Sequence, residues 1–156
     1  MAVMLGGDVE ALMGLALDEA RSALAHDDVP IGAVVARTAD GAVVARRHNE
    51  RERLADPTAH AELLAIRDAA AAAGTSHLGG HFLVTTLEPC PMCAGAAVLA
   101  RLDAVVFGAP DPKAGALGSL YHLGADPRLN HAVTVLDGVR HGDCARLLQD
   151  FFTRRR

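Results

Sequence analysis

Tryptophan is absent from this 156-residue chain, and one tyrosine and four phenylalanines make up its whole aromatic content. So few rings exclude extensive stacking on flat ligands. Cysteine is scarce as well. Three cysteines, two of them three residues apart, do not make a disulfide framework, so a reducing compartment, the cytoplasm, is expected. Cys144 reads as a small buried residue. No apolar run approaches the ~20 residues needed to cross a bilayer. The stretch from Met1 to Gly7 lacks the basic-then-apolar pattern of an export signal, so export is not expected. Charged residues are 22% of the chain and the formal net charge is −4, which excludes broad, nonspecific attraction to polyanions. Screening confines exposed charges to ~8 Å, so a local basic patch is still allowed. Arg154, Arg155 and Arg156, next to Phe151 and Phe152, form one. The alternative is a solvated helix end whose cations complement the dipole.

What is present is apolar. Residues of that kind make up 51% of the chain, enough for residues 1–156 to bury one core and form a single domain. Val9, Leu12, Met13, Ala16, Leu17 and Ala20 recur at helical spacing, predicting a helix from Asp8, as cap, to about His26. Ile31–Arg37 and Ala42–Arg46 flank Asp40-Gly41 as a β-hairpin. Asp56-Pro57 reads as a helix start, with Asp56 as cap, and that helix runs to Ala73 and stops at Gly74. A buried-type strand at Phe82–Leu87 leads to a helix from Pro91 to about Arg101, then a strand at Ala104–Phe107. Residues 108–130 hold glycines and prolines enough for a long loop with one short helical turn. Ala132–Leu136 is a fifth strand. Gly142–Arg155 is a closing helix with Ala145, Leu148 and Phe152 on one face. This order predicts an α/β fold, a three-layer α/β/α arrangement around a central five-stranded mixed sheet.

The chemistry concentrates in two segments. His60-Ala61-Glu62 heads one predicted helix, and Pro89-Cys90-Pro91-Met92-Cys93 opens the next. Cys90 and Cys93 share one helix face, and the helix dipole lowers the cost of thiolates there. If both helices follow parallel strands, their starts open at one sheet edge and face each other across an ion. One imidazole and two thiolates hold Zn2+ on three sides and leave a fourth position for water. Two thiolates and an imidazole favour zinc over magnesium or calcium. Glu62 is two residues from His60, too far round a helix to ligate the same ion, yet able to reach its water. Zinc brings the pKa of such a water to roughly 7, so Glu62 becomes the proton carrier of a hydrolytic reaction.

Two plainer readings compete. A redox Cys-x-x-Cys pair has no need of His-x-Glu at the preceding helix. A closed structural zinc site requires a fourth ligand; His48, His77, His81, His122, His131 and His141 qualify by type, but none has the short partner spacing of zinc ribbons or fingers.

These residues and the order of elements around them resemble the cytidine deaminase-like superfamily, and within it the bacterial tRNA-specific adenosine deaminases. The resemblance covers nearly the whole chain. It runs through Val29-Pro30-Ile31-Gly32-Ala33, Asn49, Asp56-Pro57-Thr58-Ala59-His60-Ala61-Glu62, Thr86-Leu87-Glu88-Pro89-Cys90 and Met92-Cys93-Ala94-Gly95-Ala96. Val105-Val106-Phe107-Gly108-Ala109, Gly118-Ser119-Leu120 and Asp150-Phe151-Phe152 extend it. It departs at Ser76-His77-Leu78-Gly79-Gly80 and in the first helix, which has no tryptophan.

The resemblance implies hydrolytic deamination of the wobble adenosine of a tRNA anticodon loop to inosine. One zinc ion per subunit would be held by His60, Cys90 and Cys93, its hydroxide attacking C6 while Glu62 shuttles protons. Asn49 and the Ala61 N–H would hold the base. Asp111 would lie near a neighbouring sugar, Lys113 near a phosphate, and Phe152, Arg155 and Arg156 on the RNA surface. A homodimer is implied, with segment 108–130 and the zinc-side helices as interface; DNA and membranes are not expected partners. The rival enzyme is a zinc-dependent deaminase of a free base or nucleoside such as guanine, cytosine or cytidine. A further rival is a zinc domain that binds RNA or a partner without turnover.

Overall fold

The structure is a computed structural model, and it describes residues 3–155. Helix α1 (Val9–Ser22) starts where Asp8 accepts hydrogen bonds from the N–H groups of Glu10 and Ala11, satisfying two orphan donors of the first turn. A 3-10 turn (Ala23–His26) follows, ended by Asp27 at a φ of 66°. The hairpin is β1 (Gly32–Arg37) and β2 (Val43–His48), antiparallel, with a register shift between Val35 and Ala36. Next come α2 (Ala61–Ala73), β3 (His81–Leu87), α3 (Pro91–Leu99), β4 (Ala104–Ala109), β5 (Thr134–Leu136) and α4 (His141–Arg154). The long connection after β4 contains one 3-10 turn, Leu123–Ala125. The predicted element order holds.

The sheet runs β2-β1-β3-β4-β5. Strand β1 is antiparallel to both neighbours, while β3, β4 and β5 are mutually parallel. Because β2 and β3 both oppose β1, they point the same way. Helices α2 and α3 therefore start from the same edge of the sheet, which is what brings their N-termini together.

Alternation along the strands divides the core in two. Ala33, Val35, Leu83, Val105 and Phe107 face Ala61, Ala65, Ile66, Ala69, Ala94, Ala97 and Val98 of α2 and α3. Val34, Ala36, Phe82, Val84, Ala104 and Val106 face Leu12, Met13, Ala16 and Leu17 of α1 and Cys144 of α4. This is the three-layer α/β/α arrangement, and the alanines let the layers approach closely. At the tightest approach, a Cβ on Gly32 would lie 1.9 Å from the Ala16 carbonyl oxygen, so only glycine lets α1 lie on β1 there.

Two predicted details are corrected. Helix α2 begins at Ala61, not at Asp56-Pro57. The Asp56 carboxylate accepts instead from the N–H and hydroxyl of Thr58, a local turn that leaves nothing for a helix start. On α4 the side chains turned inward are Cys144, Leu147 and Phe151, with Ala145 also packed against the core, whereas Phe152 is exposed. Among the described residues, no helix is long and apolar enough to cross a membrane.

Candidate active site

His60 immediately precedes α2 in extended conformation (φ −76°, ψ 146°), and Cys90 precedes α3 in the same way (φ −71°, ψ 173°). Neither side chain caps its helix. Both are free to turn toward the gap between the helix starts, where unpaired N–H groups add positive potential. Cys93 enters from the first turn of α3, behind Pro91 at its start. His60 Nδ1 lies 3.6 Å from Cys90 Sγ and 3.6 Å from Cys93 Sγ. A tetrahedral ion with Zn–S of about 2.3 Å and Zn–N of about 2.05 Å sets sulfur and nitrogen about 3.6 Å apart. Both nitrogen–sulfur separations fit zinc.

Among the described residues no fourth His, Cys, Asp or Glu joins this group. His48 lies with Glu19, His131 Nε2 donates to the Leu102 carbonyl, and His77, His122 and His141 are exposed.

Electrostatics support a cation here. The hydrogen bond from Cys93 holds the Cys90 thiol down to about 4, and His60 contributes further. Cys93 is pushed strongly the other way, first by its bond to Cys90 and then by burial. The bond to Cys90 also raises His60. One proton is thus retained between two sulfurs, and a divalent ion is what lets both ionise together.

Glu62 is 4% exposed, and its Oε1 is buried with no hydrogen-bond partner among the described residues. Burial raises its pKa above the ordinary 4.5. A carboxyl in that state suits proton transfer near neutral pH. Its place in the first turn of α2, just after His60, puts it beside the donor set.

A cleft of about 520 Å³ opens from His60. Val29, Ile31, Asn49 and Ala61 line one part of it, and Phe151, Phe152 and Arg155 another. The Asn49 side chain donates to the Val29 carbonyl and accepts from the Arg51 N–H. An amide has two donors and two acceptor lone pairs, so one of each remains for a ligand. Arg155 is held by the Asp27 carbonyl at 2.8 Å and carboxylate at 3.0 Å, and stacks on Phe151 at 4.5 Å.

Residues 7–109 match the cytidine and deoxycytidylate deaminase zinc-binding region. Over 143 residues the chain is 48% identical to the tRNA-specific adenosine deaminase of Bacillus subtilis, covering 92% of this chain and 88% of that one. This chain belongs to the tRNA-specific adenosine deaminase family. A solved tRNA:A34 deaminase, which performs A-to-I editing at the wobble position, superposes with a TM-score of 0.84 at 46% identity, covering 88% and 99% of the two chains. A guanine deaminase from Nitrosomonas europaea is more distant, with a TM-score of 0.77 at 30% identity over 96% and 87%.

Within this tRNA-specific adenosine deaminase family member, the cleft gathers His60, Ala61, Asn49, Phe152 and Arg155 of the expected site residues. Asp111 and Lys113 do not line it. The Asp111 carboxylate closes a turn, accepting from the N–H groups of Lys113 and Ala114. Arg156 lies outside the described residues. Sequence reasoning missed the role of Glu88, which is 2% exposed. Its carboxylate accepts from the N–H groups of Asp111, Leu117 and Ser119 and from the Ser119 hydroxyl. That one side chain shapes the loop whose Ala116 N–H bonds the Pro89 carbonyl, next to Cys90. The signal available was a carboxylate beside the Pro-Cys pair, followed downstream by glycines and a serine.

Proposed function

We propose that this chain hydrolytically deaminates the wobble adenosine of a tRNA anticodon loop to inosine, residues 1–156 acting as one deaminase domain. The observation that carries this reading is the continuity of the cleft, from His60 of the donor set to exposed Phe152 on α4 and Arg155 just beyond its end. An aromatic ring and a guanidinium at the mouth suit a base and phosphate flanking the target, on a chain otherwise acidic. The target base must leave its stack to reach the donor set, which is cheapest in a single-stranded loop.

His60, Cys90 and Cys93 hold the zinc. When bound there, zinc supplies a Lewis acid that lowers the pKa of water to about 7. Glu62 takes the water's first proton at Oε1 and passes it to the ring nitrogen next to C6, then takes the second from the new C6 hydroxyl and passes it to the amino group, which departs as ammonia. Asn49 meets a base edge with its remaining amide donor and acceptor, and the Ala61 N–H, a first-turn donor of α2 without an intrahelical acceptor, completes the grip. Burial of Glu62 excludes solvent from the proton path.

Lys113 and Asp111 serve the flanking RNA from outside the cleft, Arg156 adds a further cation for it, and the 2′-hydroxyls there select RNA over DNA. The chain works in the cytoplasm as a homodimer. Exposed Leu99, Leu120 and Tyr121, on the α3 end and the connection after β4, support that assembly. The test is incubation of zinc-loaded protein with an adenosine-34 anticodon stem-loop and, separately, with free guanine and cytidine, reading inosine and ammonia. Inosine in the stem-loop is expected. Turnover of a free base with none of the stem-loop overturns the reading.

A further inference from the structure

The 3-10 turn after α1 and the exit of β2 bring together a second group of donor side chains. His26, His48 and Glu50 place donor atoms within 4.8 Å of one another. None of the three has a part in the proposed reaction. The two rings lie 5.2 Å apart between centroids, tilted by 33°. His26 Nδ1 is 2.7 Å from Asp28 Oδ2, and His48 Nδ1 is 3.0 Å from Glu19 Oε1. Those carboxylates are themselves fixed: Asp28 accepts from the N–H groups of Glu52 and Arg53, and Glu19 accepts from Arg46.

A carboxylate facing Nδ1 places the proton on that nitrogen, so in the neutral ring Nε2 is a bare lone pair. Both Nε2 atoms are buried, and neither has a hydrogen-bond partner among the described residues. Glu50, 7% exposed, puts Oε1 4.0 Å from His48 Nε2. The two bare nitrogens cannot satisfy one another, and buried groups of this kind nearly always have a partner. One shared proton would join the two rings and leave the carboxylate outside the exchange. A divalent cation would engage all three.

We propose that His26, His48 and Glu50 form a second divalent-metal site, suited to zinc or a similar late transition ion, separate from the catalytic donor set. The donor types fit such ions. Imidazoles backed through Nδ1 by carboxylates are the arrangement that orients metal-ligating histidines and strengthens them as ligands. Bonds of about 2.0–2.2 Å need Glu50 and His48 to close by about half an ångström. Glu50 Oε1 exchanges Arg53, now 3.2 Å away on a largely exposed side chain, for the ion. Arg47 stays on Oε2 at 2.6 Å. The ion clips the segment leading to Val29 and Ile31 to the one carrying Asn49, the two strips that form one wall of the cleft.

The experiment is a cobalt(II) titration of the metal-stripped full chain, followed by visible absorption. Wild type is expected to take two equivalents, one with a thiolate-to-cobalt charge-transfer band and one with ligand-field bands alone. Cys90→Ala keeps the second and loses the thiolate-marked one. His26→Gln and His48→Gln do the reverse, the retained thiolate band also reporting that the variant is folded. Arg53→Ala, which leaves all three donors in place, binds the second ion several-fold more tightly. The proposal is overturned by wild type saturating at a single thiolate-marked equivalent. A second equivalent that survives both histidine substitutions, or is unaffected by Arg53→Ala, overturns it too.

Discussion

Replacing Glu88 by glutamine tests whether one buried carboxylate organises the loop beside the metal donors. The isostere keeps size and one carbonyl oxygen. In its better orientation that oxygen serves the N–H groups of Leu117 and Ser119, now on Oε2. The new NH2 then faces the Ser119 hydroxyl, which can turn and accept, and the Asp111 N–H, which cannot. One backbone donor is orphaned and three bonds lose their ionic character, at a combined cost of about 2–4 kcal/mol. For a chain of this size that is a melting-point drop of roughly 5–15 °C. There is no slack to absorb the change, since a Cβ on Gly115 would already lie 2.3 Å from the Glu88 carboxyl carbon. Burial alone would push the Glu88 pKa up, but its four donors reverse this and hold it below the ordinary 4.5. A depressed folded-state pKa means stabilisation that is complete above pH 4.5 and lost as pH falls through the folded value. Thermal melts of wild type and Glu88→Gln should therefore differ by a constant gap near neutrality that closes in acid. Equal melting points at pH 7, or a gap that persists undiminished in acid, refute the reasoning.

Glu62→Gln should retain zinc, measured by elemental analysis, and lose turnover by at least ~10²–10⁴-fold, the scale of a general acid–base group. In metal-free protein the same variant should be the more stable one at neutral pH. A raised carboxyl pKa contributes stability that is full below 4.5 and lost as pH rises through the folded value, so melts of the two proteins should converge in acid. Gly32→Ala should destabilise by more than the ~1–3 kcal/mol of ordinary overpacking, because the clash is with α1 backbone; urea denaturation would read it. Arg155→Ala should weaken stem-loop binding and flatten its salt dependence while leaving zinc content unchanged, as filter binding across salt concentrations would show.

The donor set was legible because residue type carries the chemistry: an imidazole and two thiols at two helix starts can be recognised without coordinates. The layers followed from periodicity. Where periodicity is ambiguous the reading failed. On α4, Ala145-Leu148-Phe152 and Cys144-Leu147-Phe151 have the same spacing, one residue apart, and only packing against the sheet chooses between them. A Cβ on Gly108 of β4 would meet Cys144 Sγ at 2.3 Å, which shows how closely that face is seated. The start of α2 was misplaced because Asp56 has two uses for its carboxylate, a cap or a local turn, and Thr58 takes the second. The cleft wall was invisible for another reason. Arg155 reaches Asp27 across 128 positions of sequence, a contact that no local pattern announces.

The most direct test runs the reaction in oxygen-18 water with zinc-loaded protein and an adenosine-34 stem-loop, then analyses position 34 by mass spectrometry. Inosine carrying one solvent-derived oxygen at C6, formed by wild type and not by Glu62→Gln, is the predicted result. Unlabelled inosine, no inosine at all, or equal conversion by the Glu62 variant would contradict the account.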